Sequence, residues 1–391
     1  MGKVGLAIVT YTINYGTFLQ AFATQNAINQ LGFQTEIINI NSVIKDVSKQ
    51  RKKYFAKQIL NIPEVRSYFA TIQSLIQKKI NPGYKKYMQQ RERCFHRFQN
   101  DFFSLGPICN SWSGLSEYCK KFSSVVVGSD QLWRPANIAG NFYTLNFVPN
   151  EVNKVAYATS FGLSSVRKNQ EQAVVNFLKR INFLSSREES GVQIIKNLTG
   201  RSAKWVCDPT LLLPKEEWEK HLQPSALVKG DYILMYLLSS NKQHRVYVKK
   251  LAKQTNCKIV GVLHGAGYNC GDEKYVDEVP TNIGPFEFLN LIKNAKFVCT
   301  DSFHGCVFST IFERDFYAFK RFCDDNNMST NSRVTGLLNK LGLTNRLVQN
   351  FNEFNLTPVN YENVKQEVRS FRAESLQYLN AALSAGKGVE K

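Results

Sequence analysis

The chain has no run of about 18 apolar residues, so nothing in it predicts a bilayer-spanning helix. It has no C-x-x-C pair. Its nine cysteines are scattered and odd in number, which argues for reduced thiols and against a zinc site or a disulfide framework. The opening MGKVGLAIVTYT lacks the basic start, long apolar middle and small-residue end of a secretory signal, and Leu6 breaks the myristoylation pattern. A cytoplasmic protein is expected, reaching a membrane only at its inner face and only through its surface. Acids are scarce: 31 Asp and Glu stand against 50 Lys and Arg, for a net +19. That excess favours anionic partners without choosing among nucleic acid, anionic lipid and phosphorylated small molecules. With 43% hydrophobic and 21% charged residues, the composition is that of a globular protein, and the 391-residue length suits two domains.

What is present is an alternation of strand and helix patterns. KVGLAIVT predicts a strand ending at Thr10. A polar turn follows, then a helix carrying Phe18, Leu19, Phe22, Ala27, Ile28 and Leu31, closed by Gly32, then a strand at TEIINI. A β-turn-α-β opening predicts a parallel sheet. Further strands are expected at 123–128, 153–160, 181–185 and 203–207. A second cycle begins near 231, with strands at YILMYLL, CKIVGVLH, KFVCTD and DFYAF. The Pro214–Pro224 stretch separates the cycles, giving an N-terminal domain over 1–214 and a C-terminal domain over 215–391. The tail, 361–385, reads as one long helix.

Residues 41–105 interrupt the alternation as a basic helical insert. Positions 45–97 hold fourteen Lys and Arg against three acids, eleven of the net +19. This is either a solvated helical face or a surface for anionic lipid or a lipid-linked phosphate. No nucleic-acid-binding motif accompanies the charge, so nucleic acid is not the expected partner.

In open parallel sheets, ligands bind beyond the carboxyl ends of the strands, so candidate site residues are sought there. After the first strand, Asn14, Tyr15 and Gly16 open a helix whose N-terminus attracts anions. After SSVVVG come Ser129, Asp130 and Gln131. They offer hydrogen bonds to sugar hydroxyls, with Trp133 as an aromatic face, or else simple helix caps. Arg187 stands at a strand end, against the preference of a helix start for acids. It can grip a phosphate or carboxylate, or pair with its neighbouring Glu188. Ser302, Phe303 and His304 follow an apolar strand and open an apolar helix. An imidazole there suits proton transfer near neutral pH. Lys320 and Arg321 end the next strand and Arg333 opens the next helix, cations for a phosphate ester or mere surface charge. His264 is a weaker candidate. His96, His221 and His244 read as surface residues. No metal site is expected.

Taken in order, YTINYGTFLQAFA, VVVGSDQLW, YATSFG, SSREES, CDPTLLL, GPFEFLNLIKNAKFVCTDSFHG and SRVTGLLNKLGL resemble the polysaccharide pyruvyl transferase family over roughly 3–40 and 105–350. The resemblance implies α/β architecture similar to glycosyltransferase B, with two Rossmann-like domains facing a cleft. It implies transfer of the pyruvyl group of phosphoenolpyruvate onto two sugar hydroxyls, forming a ketal on a bacterial cell-surface glycan or lipid-linked precursor. Phosphoenolpyruvate is the donor substrate and no further cofactor is implied. The family's catalytic His carries over onto His304 and one Arg onto Arg187. Asn14, Tyr15, Gly16, Ser129, Asp130, Gln131 and Ser302 stand as substrate-binding candidates. Several family members resemble Arg-x-His where this chain has Ser302-Phe303-His304, leaving Lys320, Arg321 or Arg333 to supply that charge. A sugar-nucleotide-dependent glycosyltransferase of the same architecture and a non-catalytic glycan- or membrane-surface-binding protein are the competing readings.

Overall fold

The computed structural model describes residues 2–57, 73–322 and 331–388. Insert residues 58–72, Arg66 among them, and Cys323 lie outside the described residues. Strands β1 (Lys3–Ala7), β2 (Gln34–Ile37), β3 (Ser124–Val127) and β4 (Asn153–Ala156) form a parallel sheet in the order β2-β1-β3-β4. The short parallel pair β5 (Ser185–Ser186) and β6 (Lys204–Trp205) continues it through bridges Val155–Phe183 and Thr159–Ser186. Strands β7 (Tyr232–Tyr236), β8 (Lys258–Gly261), β9 (Phe297–Thr300) and β10 (Asp315–Ala318) form a second parallel sheet in the order β10-β9-β7-β8. Counted from its own first strand, each sheet runs 2-1-3-4. The runs VVV, YILMY and FVC are apolar because helices cover both faces of a parallel sheet. Two Rossmann-like domains thus face each other across a cleft, the glycosyltransferase B arrangement.

The Tyr15–Gln30 helix lies at the seam between the domains. It is buried almost all round, so its apolar positions pack both ways. Tyr15 stacks on Phe288 at 4.5 Å and meets Tyr236 edge-on at 6.0 Å, both in the second domain. The Tyr361–Ser384 helix also ties the halves. At its start the Tyr361 hydroxyl bonds the Arg314 carbonyl at 2.6 Å, and towards its end Tyr378 donates to Ala156 at 3.1 Å.

The insert is more integrated than its charge suggests. Its helices include Ile44–Lys57 and Pro82–Phe102. The second buries Tyr84, Arg91, Phe95 and Phe98. Phe95 packs on Tyr15 and Phe18 of the first domain at 5.0 and 4.8 Å, and Phe98 packs on Phe286 of the second at 4.8 Å. Arg91 donates to the carbonyls of Leu263 and His264 at 2.6 and 3.2 Å. One basic residue of the presumed surface is therefore an internal strut. His244 is also not a surface residue. The residue is 1% exposed and its ring stacks on Phe319 at 4.5 Å, with Phe351 at 5.8 Å. Among the described residues, no helix is long and apolar enough to cross a membrane.

Candidate active site

Five strand ends converge on one polar cluster at the seam. The turn after β1 supplies Asn14 and Thr17, the turn after β3 Ser129 and Asp130, β5 Arg187, β6 Asp208, and β9, from the opposite domain, His304.

Local sequence explains each position. Asn14 is extended and its side chain accepts from Thr17 N at 3.1 Å, capping the helix. Gly16 leaves room for His304: a Cβ there would lie 2.1 Å from His304 Nδ1. Ser302 caps its own helix, accepting from Gly305 N at 3.3 Å, which places His304 in the first turn. Gly128 has φ +126, and a Cβ on it would meet the Tyr157 carbonyl at 1.9 Å. Only glycine fits that bend, and the bend delivers Ser129 and Asp130. Gln20 locks the loop by accepting from Ser129 N at 3.1 Å.

Asp208 is the hub, and nothing in the sequence assigned it a role. Asp-Pro after a strand is the signal of a helix cap. Asp208 is one: Oδ1 accepts from Thr210 N and its hydroxyl at 3.0 and 2.7 Å. The other oxygen, Oδ2, accepts from Arg187 Nη1 at 2.7 Å, has the Ser129 hydroxyl at 3.1 Å, and lies 3.6 Å from His304 Nε2. Burial alone would raise this carboxyl. The His304 ring and the Arg187 guanidinium outweigh burial and hold it far below the usual range.

Arg187 is buried, with its guanidinium 4.5 Å from the centre of the Phe303 ring. It keeps the Glu188 pairing, at 3.2 Å, alongside Asp208. Its Nη2 has no hydrogen-bond partner and lies 3.7 Å from Asp130. Asp130, at φ +81, receives the Thr17 hydroxyl at 2.9 Å and the Gln131 amide at 2.8 Å. Burial would raise its carboxyl as well; Arg187, His304 and Arg333 bring it down. Arg333, from the Asn331–Lys340 helix, has a buried Nε with no partner. Burial first, then the neighbouring Arg187 charge, push its guanidinium down to about 9, and Arg321 adds to the push. Glu188 and Asp130 oppose the push without cancelling it. Arg187, Asp208, Phe303 and Arg333 line a cavity of about 240 Å³.

The remaining candidates make other contacts. Tyr15 is buried and its hydroxyl donates to the Ile283 carbonyl at 3.0 Å. Gln131 accepts from Arg134 at 3.3 Å on the outer side of the Asp130 turn. Lys320 and Arg321 follow β10 and are half-buried. Trp133 offers no face to a sugar: it is 1% exposed, packs on Phe161 and Phe177, and donates to the Tyr143 carbonyl. His264 lies among Tyr84, Tyr87, Tyr268 and Glu273, outside the cluster. Among the described residues, no group of three or more His, Cys, Asp or Glu is placed to hold a metal ion.

No curated protein matches the chain. Solved structures similar to it include UDP-GlcNAc 2-epimerases and a glycosyltransferase. The epimerase of Neisseria meningitidis is 8% identical, with 96% of this chain and 100% of that one covered and a TM-score of 0.48. That of Methanocaldococcus jannaschii is 13% identical, with 95% and 99% covered and a TM-score of 0.45. The glycosyltransferase SnogD of Streptomyces nogalater is 9% identical, with 99% and 97% covered and a TM-score of 0.44. A family model described as polysaccharide pyruvyl transferase matches residues 14–321, from the Asn14 cap through β10 to Arg321. The chain belongs to the polysaccharide pyruvyl transferase family.

Proposed function

We propose that the protein moves the pyruvyl group of phosphoenolpyruvate onto two hydroxyls of a sugar, forming a ketal on a cell-surface glycan or its precursor. The observation that carries this reading is a set of buried nitrogens around His304 left without acceptors. Arg187 Nη2, Arg333 Nε and His304 Nε2 are all buried without hydrogen-bond partners. A small ester carrying both carboxylate and phosphate meets that demand, and guanidinium groups grip such groups with paired bonds.

In this mechanism Arg187 and Arg333 hold the donor. His304 gives a proton to the methylene carbon, making C2 oxocarbenium-like. A sugar hydroxyl attacks C2 and returns its proton to His304. Phosphate leaves with the C2–O bond pair. The second hydroxyl closes the ketal and its proton goes to the phosphate. Fixed cations in a site short of water stabilise these charges without reorganising. Asp208 places a negative charge beside Nε2 and holds Arg187, making it a positioning residue for both. Asp130 is a weak base because its carboxyl is held low. It suits a hydrogen bond from an acceptor hydroxyl better than proton removal. Asn14 caps the helix start that carries Thr17, the hydroxyl bonded to Asp130, and offers a second polar contact for that sugar.

Incubation with phosphoenolpyruvate and candidate glycans should release phosphate and give a glycan heavier by one ketal. His304→Ala should slow this by about 10²–10⁴. Near-normal turnover in that variant removes His304 from the chemistry.

A further inference from the structure

The 73–80 helix is inside out. A helix lying on a protein ordinarily turns its apolar face inward. Here Leu75, Ile76 and Ile80 are 58%, 50% and 66% exposed, while Ser74, Gln77 and Lys78 are partly covered. At about 100° per residue, Leu75, Ile76, Lys79 and Ile80 share one outward face, with the covered polar residues opposite. The inward face makes polar contacts: Tyr268 N donates to Ser74 Oγ at 2.9 Å, and Lys78 pairs with Glu92. Lys79 is exposed on that face, and Lys85 and Lys86 are exposed near the start of the helix that follows. No acid occurs anywhere from residue 73 to residue 91.

One exposed leucine is ordinary, but three large aliphatic side chains on one face mark a contact surface. Its charge says what it contacts. A second copy of the chain would bring the same lysines against one another. A partner with negative charge above an apolar interior fits both features, and a bilayer of anionic phospholipid has that structure. We propose that residues 73–86 dock the protein on an anionic membrane surface. Leu75, Ile76 and Ile80 enter the headgroup region, and Lys79, Lys85 and Lys86 meet lipid phosphates. This narrows the basic 45–97 stretch to its part with outward apolar side chains. It is independent of the transfer chemistry.

The test is co-sedimentation of the full chain with phosphatidylcholine vesicles, with and without a minority of phosphatidylglycerol. The protein should pellet with the anionic vesicles at low salt, and added salt should weaken binding. At roughly fivefold per lysine, K79A/K85A/K86A should lose about a hundredfold in apparent affinity. L75S/I76S/I80S should lose at least about tenfold with an unchanged melting temperature. Failure of the wild-type chain to bind anionic vesicles at low salt overturns the proposal. So does equal binding by either variant. A dimer in solution that L75S/I76S/I80S abolishes also overturns it, assigning the face to a second copy. Each readout needs no turnover, so it stands apart from any failure of the pyruvyl-transfer reading.

Discussion

At the scale of single residues, the site depends on one shared carboxylate oxygen. Asp208 Oδ2 touches Arg187 from the first domain and faces His304 from the second. Asp208→Asn should therefore cost about 3 kcal/mol in urea unfolding, the range for breaking one side of a buried charge pair. It should also change the pH profile of kcat, which loss of packing alone leaves in place. The sign of the acid effect follows from the depressed carboxyl. Its stabilisation is complete above the unfolded value, about 3.9, and is lost as pH falls further through the folded one. The wild-type chain should thus lose stability below about pH 4 more steeply than the variant. Gly16 is the second dependency. Gly16→Ala gains helix propensity of about 1 kcal/mol, yet its Cβ would fall 2.1 Å from the His304 ring. Turnover should fall at least tenfold while the melting temperature moves little. Normal turnover in Gly16→Ala means that the ring position has no part in the reaction.

At the scale of elements, most of the fold was legible and most of the joints were not. Strand and helix patterns placed His304, Arg187, Asp130 and Asn14 at strand ends because apolar period and turn residues are local signals. Asp208 escaped because a cap and a charge hub have the same residue type, and only the fold shows which partners arrive. Trp133 misled because an aromatic beside polar residues looks the same whether it faces ligand or core. The Pro82–Phe102 helix is the clearest case. Its lysines and arginines count as surface charge in the sequence, yet Arg91 is 4% exposed and bonded to two carbonyls across the domain seam. Charge totals say nothing about which cation points inward. Arg91→Met should leave those carbonyls without a donor and cost about 3 kcal/mol, read as a lower melting temperature. A change within about 0.5 kcal/mol means that Arg91 is no strut.

At the scale of the whole molecule, two 2-1-3-4 sheets meet along a seam of aromatic packing, with the site at its polar end. The core of the second domain carries its own pH sensitivity. Burial first, with Arg245 adding to it against Asp301, pushes His244 down to about 4. The unfolded chain protonates this ring below about 6.5 and the folded chain does not. Stability should therefore fall between about pH 6.5 and 4. His244→Phe should flatten that slope by about one proton, near 1.4 kcal/mol per pH unit; an identical slope contradicts the assignment.

The proposed chemistry rests on which anion fills the space around Arg187 and Arg333. Calorimetric titration asks this without knowledge of the acceptor. Phosphoenolpyruvate should bind the wild-type protein, and Arg333→Ala should weaken it at least tenfold. No binding of phosphoenolpyruvate, together with tight binding of a nucleoside diphosphate, would contradict pyruvyl transfer and make the cleft that of a sugar-nucleotide enzyme.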